Sequence, residues 1–218
     1  MTGADDGPSW NRDPDPKTDS LSTAGSVVIR ALRQAARDAA STALGVALVA
    51  ALLFAVVGVW PPMVAVESGS MEPHMERGDL IVVSDPTRFG DDGVAGVRTA
   101  HEAPAEHRTF GARGDVIVFS SPALPGTPII HRAHFHVEAG ENWYDEANPE
   151  YLPPGVDSCA DLTDCPAPRS GFITKGDANA RYDQVNGNSP IVTRDRIRSE
   201  ARVRIPMLGH IRLTLAGE

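Results

Sequence analysis

The stretch Ser68-Gly69-Ser70-Met71-Glu72-Pro73 separates two different parts of the chain. An apolar run ends shortly before it and a series of short strand-like segments follows it. The stretch therefore lies where a membrane anchor would join a folded domain. Taken alone, serine and glycine in this pattern are typical of an ordinary turn. Ser70 becomes a candidate nucleophile only if the rest of the chain supplies a base and an acid.

The apolar run from Ala39 to Trp60 contains no charged residue. A helix of about 22 residues at ~1.5 Å each is roughly 33 Å long, enough to cross a hydrocarbon core about 30 Å thick. The run is too long and too far from the N-terminus for a cleaved signal peptide. A buried core helix is the remaining alternative to a membrane span.

Tail, anchor and external domain follow one another in the sequence. Residues 1–25 are acidic and rich in proline, with too little apolar surface to pack, which predicts a disordered tail. Residues 26–62 are predicted to form a juxtamembrane and transmembrane helix, and residues 63–218 a folded domain. Arginines precede the span and an acidic domain follows it. We therefore expect a single-pass protein of the cell membrane with a cytoplasmic N-terminus and an extracytoplasmic domain.

The charge of the chain limits its partners. The formal net charge is -9, and nearly all basic residues are arginines, since Lys17 and Lys175 are the only lysines. An acidic surface repels phosphates, so we expect no nucleic acid partner. A salt-loving source and a GC-rich genome both account for this composition.

Short segments rich in β-branched and apolar residues follow Ser70, each bounded by turn residues. They cover residues 78–83, 113–119, 129–137, 172–174 and 197–203. The third segment carries three histidines. At a period of two residues, His134 and His136 face one way and His131 the other. A metal site on His134 and His136 lacks accompanying ligands, so we expect no metal and a solvated face there.

Residues 138–170 read as a long loop rich in proline and acidic residues, with its tryptophan and tyrosines as packing anchors. The loop contains the only cysteines, Cys159 and Cys165. Outside the membrane, two cysteines at this spacing can close a small loop as a disulfide, which we predict. Free thiols are the alternative.

A serine, a strand histidine and aspartates on a glycine turn can act together. Serine needs a base to take its proton, and the ordinary pKa of histidine, near 6.5, suits that task. An aspartate on the other ring nitrogen would fix the tautomer and stabilise the imidazolium. The candidate groups are Ser70, His131, Asp177 and Asp183.

The chain resembles the type I signal peptidases in a series of ordered segments. They are residues 68–73, 77–79, 113–119, 131–132 and 175–183. The resemblance runs from the membrane segment to the C-terminus. Within that family the chain is similar to the archaeal and endoplasmic-reticulum type, in which histidine stands where the bacterial enzymes carry lysine. His131 occupies that place here.

The resemblance implies a role for each site residue. Ser70 would be the nucleophile, His131 the general base and Asp183 the third catalytic residue, while Asp177 would support the site. The backbone N–H of Ser70 and the hydroxyl of Ser68 would form the oxyanion hole.

The resemblance also implies a mainly antiparallel β catalytic domain behind one N-terminal transmembrane helix. The implied activity is that of a serine endopeptidase that removes signal peptides from exported preproteins after small residues. No cofactor is implied, and the expected partners are signal peptides, the lipid bilayer and the protein translocon. Two departures from the family are Ala178, where asparagine is frequent, and the inserted loop 138–170.

Two other interpretations remain open. Lys175 lies next to the Asp177 turn, so a Ser–Lys mechanism would replace His131 as the base. A non-catalytic, membrane-tethered β domain that binds signal peptides or a translocon would need no base at all.

Overall fold

A computed structural model describes residues 16–89, 93–210 and 214, and for residues 16–27 it describes the backbone only. The chain divides into two compact units, Met1–Leu52 and Leu53–Glu218. Residues 1–15, most of the predicted tail, lie outside the described residues.

Helix α1 runs from Pro16 to Val57. Its stretch Val28–Val57 is long and apolar enough to cross a membrane, and most of its large apolar side chains are exposed. The helix starts within the stretch that the sequence assigns to the tail, because no proline interrupts it after the first position. It ends five residues before the predicted limit at residue 62, where Pro61 and Pro62 could not continue a helix. Gly58, with φ +76°, takes the left-handed conformation that closes a helix.

The second unit is built on an antiparallel sheet. Its described elements are β1 (Met63–Ala65), β2 (Leu80–Ser84), α2 (Pro86–Phe89), β3 (Arg108–Thr109), β4 (Ala112–Arg113), β5 (Val116–Ser120), β6 (Pro128–Val137), β7 (Gly171–Lys175), α3 (Asp183–Asn186) and β8 (Ile197–Ile205). Six strands follow the order β1-β2-β8-β5-β6-β7, and each neighbouring pair is antiparallel. Strands β3 and β4 form a separate hairpin. The predicted mainly β, antiparallel fold is confirmed.

Strand β5 is covered on both of its faces. Val116 and Val118 belong to one apolar cluster, and Ile117 and Phe119 belong to another. Successive side chains of a strand point to opposite faces, which explains this alternation. The first cluster includes Met71 and Met75, both buried, so the segment that carries Ser70 packs on this part of the sheet.

The inserted loop 138–170 has an apolar cluster of its own. Trp143 is buried in this cluster with Tyr182, and its indole N–H donates to the carbonyl of Asp164 at 2.8 Å. Three short 3-10 turns lie at Trp143–Asp145, Pro149–Tyr151 and Cys159–Asp161. A disulfide joins Cys159 to Cys165. The loop therefore packs as an ordered layer against β6 and β7.

This loop changes the surroundings of His134. The ring of His134 packs edge-on to Tyr151 and Tyr182, with ring centroids 5.7 and 5.3 Å away. Burial, with Lys175 nearby, lowers the pKa of His134 to about 3. The prediction of a solvated face was wrong here, because Tyr151 of the inserted loop covers that side of β6.

Candidate active site

Ser70 lies in a compact turn that follows β1. Within this turn the N–H of Glu72 donates to Gly69 O at 3.1 Å, and the N–H of Met75 donates to Met71 O at 3.0 Å. Because Met71 and Met75 are buried in the β5 cluster, the turn is held on the sheet while Ser70 stays half-buried.

The hydroxyl of Ser70 meets the ring of His131. Ser70 Oγ lies 2.9 Å from Nε2 of His131, and Nδ1 of that ring lies 2.7 Å from Oδ2 of Asp183. His131 and Asp183 are both buried. A carboxylate at Asp183 can only accept, so the ring proton lies on Nδ1 and the Nε2 lone pair faces the serine hydroxyl.

Two further side chains hold the carboxylate of Asp183. The hydroxyl of Thr174 donates to Oδ2 at 2.7 Å, and the amide of Asn188 donates to Oδ1 at 3.1 Å. Both carboxylate oxygens are therefore occupied. These two bonds fix the orientation of the carboxylate that binds Nδ1 of His131.

Asp177 lies in a second network. Its oxygens accept from Nε and Nη2 of Arg132 at 2.8 and 2.6 Å, and Oδ2 also lies 2.7 Å from Nδ1 of His74. Burial of the carboxyl opposes its ionisation, but Arg132 and His74 overcome this and lower the pKa of Asp177 below its ordinary value. Arg132 also donates to the carbonyls of Thr109 and Gly114. Asp177 thus bonds to the neighbour of His131 rather than to His131 itself.

The glycine turn after β7 lies directly against the serine. The N–H of Ala178 donates to Ser70 O at 2.9 Å. A Cβ at Gly176 would lie 2.6 Å from Ser70 O and 2.8 Å from His131 Nε2, so only glycine fits this close approach. Ala178 acts through its backbone, and its departure from the family pattern leaves this contact intact.

Lys175 points to the same turn from the other side. Its Nζ donates to the carbonyls of Gly176 at 3.0 Å and Asn179 at 2.7 Å, and it lies 4.5 Å from the ring centre of Tyr151. Burial lowers the pKa of Lys175. Across the described part of the chain, Lys175 makes no hydrogen bond to Ser70.

Two donors lie beside the serine hydroxyl. Ser68 Oγ is 3.2 Å from Ser70 Oγ. Within residues 16–89 and 93–210, the backbone N–H of Ser70 donates to no acceptor. An N–H and a hydroxyl at this place can both donate to an oxygen atom that approaches Ser70.

A cleft of about 450 Å³ opens at this point. Residues 64–68 line one side of it and residues 127–131 the other, with Asn179 near the turn. Most of the lining is small or aliphatic. Among the described strands, β1 is the edge strand of the sheet on this side.

The described residues contain no cluster of side chains suited to hold a metal ion. Within the described residues, no group of three or more histidine, cysteine, aspartate or glutamate side chains converges as a metal site would require.

Part of the chain is similar to a known protein family. Residues 38–133 match the family described as signal peptidase, peptidase S26. The matched region includes Ser70 and His131 and ends before Asp177 and Asp183. It supports a relation to the signal peptidases and a peptidase activity for this chain. No curated protein matches the sequence.

Several side chains that hold the residues of the candidate site are not evident from the sequence. Thr174 and Asn188 hold Asp183, while His74 and Arg132 hold Asp177. Arg132 directly follows His131 in the sequence, and this position could have indicated that it lies near the site. The other three lie in turns or strands where hydroxyl, amide and imidazole groups are common on structural grounds alone.

Proposed function

We propose that this protein is a membrane-anchored serine endopeptidase, a signal peptidase of the archaeal and endoplasmic-reticulum type. It removes signal peptides from exported preproteins after small residues. The observation that carries the proposal is the continuous hydrogen-bonded series from Ser70 through His131 to Asp183.

In the proposed reaction, Ser70 Oγ attacks the carbonyl carbon of the scissile peptide bond while its proton passes to Nε2 of His131. The resulting imidazolium is stabilised by Asp183. The Ser70 N–H and the Ser68 hydroxyl donate to the negatively charged oxygen of the tetrahedral intermediate. His131 then protonates the leaving amine, and a water molecule, deprotonated by the same nitrogen, hydrolyses the acyl-enzyme.

Asp177 acts in this proposal through its neighbours. Its bidentate ion pair with Arg132 fixes the strand position that follows His131. The glycine turn that carries Asp177 also binds Ser70 O through Ala178. Asp183 is therefore the residue that we assign to the catalytic series, and Asp177 is a positioning residue.

The cleft supports an extended substrate. A signal peptide that enters the cleft in an extended conformation would pass between residues 64–68 and residues 127–131 and would reach Ser70. Alternate side chains of such a strand point into the cleft. The mostly small and aliphatic lining of the cleft supports the proposed preference for small residues before the cut.

The membrane placement belongs to the same proposal. The apolar stretch Val28–Val57 would anchor the protein in the cell membrane, with the N-terminus in the cytoplasm and the peptidase domain outside. A substrate whose own hydrophobic segment remains in the bilayer would be presented near the anchor. The lipid bilayer and the protein translocon are the expected partners.

Cleavage of a labelled preprotein by the detergent-solubilised full chain tests the proposal. We expect Ser70→Ala and His131→Ala each to lower kcat by about 10³-fold or more, since the triad acts as a unit. Wild-type cleavage by Ser70→Ala would show that Ser70 is not the nucleophile, and binding of the preprotein without cleavage by the wild type would identify a non-catalytic module.

The same assay separates the two candidate bases. Lys175 donates to backbone carbonyls, so Lys175→Ala should retain more activity than His131→Ala. An inactive Lys175→Ala beside an active His131→Ala would favour the Ser–Lys mechanism.

A further inference from the structure

We propose that His74 is a positioning residue that ties the serine turn to Asp177 and thereby sets the distance between Ser70 and His131. The inference rests on the proposed function, because it assigns His74 a part in presenting the nucleophile. His74 itself would touch neither the substrate nor the reacting atoms.

His74 connects two segments that both contact Ser70. Its Nδ1 lies 2.7 Å from Oδ2 of Asp177, and its N–H donates to Met71 O at 3.0 Å within the serine turn. The turn that carries Asp177 also reaches back through Ala178 N to Ser70 O at 2.9 Å. The serine turn is therefore attached to the glycine turn at two points, one of backbone and one of side chain.

Asp177 extends this connection to the base. The same carboxylate that meets His74 accepts two hydrogen bonds from Arg132, which follows His131 in β6. One buried carboxylate thus holds the segment of the nucleophile through His74 and the strand of the base through Arg132. A small displacement of either segment would lengthen the 2.9 Å contact of Ser70 with His131, and proton transfer depends steeply on such geometry.

The donor and the acceptor can be assigned in the contact between Nδ1 of His74 and Oδ2 of Asp177. Arg132 and His74 keep the pKa of Asp177 low although burial opposes them, so the carboxylate is an acceptor only. Nδ1 of His74 must then be the donor in both the neutral and the charged ring. Arg204 also contacts this segment, since its Nη1 donates to His74 O at 3.1 Å and its guanidinium pairs with Glu76.

The ring of His74 also has a packing role that an experiment must separate from the hydrogen bond. A Cβ at Gly111 would lie 3.0 Å from Cδ2 of His74, so the ring lies close under the β3–β4 hairpin. His74→Phe keeps a ring and removes the donor. His74→Asn removes the ring and keeps a donor at the position of Nδ1. These two substitutions form the matched pair.

The experiment measures kcat, KM and the thermal unfolding midpoint of detergent-solubilised full-length variants with a labelled preprotein. We expect His74→Phe to lower kcat about tenfold with KM changed less than about twofold, as for one lost bond to a charged group. We expect His74→Asn to keep at least about half of the wild-type kcat. His101→Phe, at an exposed histidine that stacks on Phe135, is the control and should cleave normally.

A double-mutant cycle makes the inference falsifiable. If His74 acts through Asp177, the loss caused by His74→Phe should shrink to less than about twofold in an Asp177→Asn background. Three results overturn the inference: a wild-type kcat for His74→Phe, an equal loss in His74→Asn, and an undiminished loss in the Asp177→Asn background.

Ser70→Ala, measured in parallel, separates the two proposals. An active Ser70→Ala removes the proposed function and this inference together. An inactive Ser70→Ala beside a fully active His74→Phe removes the inference alone.

Discussion

Asp183 is fully buried, and each of its side-chain contacts comes from a different part of the fold. His131 belongs to β6, Thr174 to β7, and Asn188 to the segment after α3. A buried carboxylate is stable only when its lone pairs are occupied. The orientation of the His131 ring therefore depends on residues that have no chemical role of their own.

The first prediction concerns Thr174. Thr174→Val keeps the shape of the side chain and removes the hydroxyl that donates to Asp183 at 2.7 Å. We expect kcat to fall about tenfold, the equivalent of about 1.4 kcal/mol, because the carboxylate loses a charge-assisted bond. KM should change little. Steady-state cleavage of a labelled preprotein measures both constants.

Thr87→Val is the matched control for this prediction, since it removes a hydroxyl that donates to Asp85 at 2.5 Å on the surface. Its kcat should equal that of the wild type. An equal loss in both variants would show that the Thr174 effect does not act through Asp183.

The chemically reactive residues can be predicted from the sequence more easily than the residues that hold them in place. Ser70 and His131 are 61 residues apart, and His131 and Asp183 are 52 apart, yet the order of the motifs suggests all three. Thr174, Asn188 and His74 are not predicted, because their roles arise only when β7, α3 and the serine turn come together.

Among the elements, the inserted loop 138–170 departs most from its sequence-based description. The sequence predicts a loop anchored by aromatic residues, and Trp143 is indeed buried. It does not predict that the loop covers β6 and leaves His134 half-buried between two tyrosine rings. Strand alternation assigns faces, but it cannot say which loop will cover a face.

The second prediction follows from this burial. The pKa of His134 is about 3 in the folded protein and near 6.5 in the unfolded chain. As pH falls below 6.5, the unfolded chain takes up a proton there and the folded protein does not. The free energy of unfolding should therefore fall, by up to about 1.4 kcal/mol per pH unit, between pH 6.5 and 3.

His134→Phe keeps the ring between Tyr151 and Tyr182 and removes the titration. Urea unfolding of both proteins at pH 7, 6, 5 and 4 should give curves that diverge as the pH falls, with the wild type losing more stability. Parallel dependence on pH would mean that His134 does not cause the loss.

The third prediction concerns the disulfide of this loop. Replacing Cys159 and Cys165 together by serine should lower the free energy of unfolding by about 2 kcal/mol, the value expected for a short closed loop. Neither cysteine contacts Ser70, His131 or Asp183, so kcat should stay within about twofold of the wild type. Thermal unfolding and preprotein cleavage measure the two effects, and a large fall in kcat without a fall in stability would contradict this separation.

At the scale of the whole molecule, composition and hydropathy predict an anchor helix followed by a folded domain. The structure contains one helix that is long and apolar enough to cross a membrane and a unit built on an antiparallel sheet. The helix limits are less predictable. Helix α1 ends at Val57 because Gly58 adopts a left-handed backbone, not because Pro61 stops it. In contrast, five strands (β2, β5, β6, β7 and β8) lie within a few residues of their predicted limits, since turn residues flank them closely. Strand β1 and the β3–β4 hairpin are not predicted.

The fourth prediction concerns the orientation of the anchor. With a cytoplasmic N-terminus, protease added outside right-side-out vesicles should degrade the domain from Leu53 to Glu218 and spare a tag fused to the N-terminus. Immunoblotting of both ends measures this. A protected C-terminal domain in intact vesicles, cleaved only after detergent is added, would contradict the proposed orientation.

The strand order determines when, during synthesis of the chain, the sheet can be completed. Strand β8 is the last strand of the sheet in the sequence, yet it lies between β2 and β5. The segment of Ser70 follows β1, and His131 lies in β6, on opposite sides of β8 in that order. A nascent chain that has not yet made β8 cannot join the two halves of the sheet. A peptidase built in this way would remain inactive on the ribosome until β8 has been made.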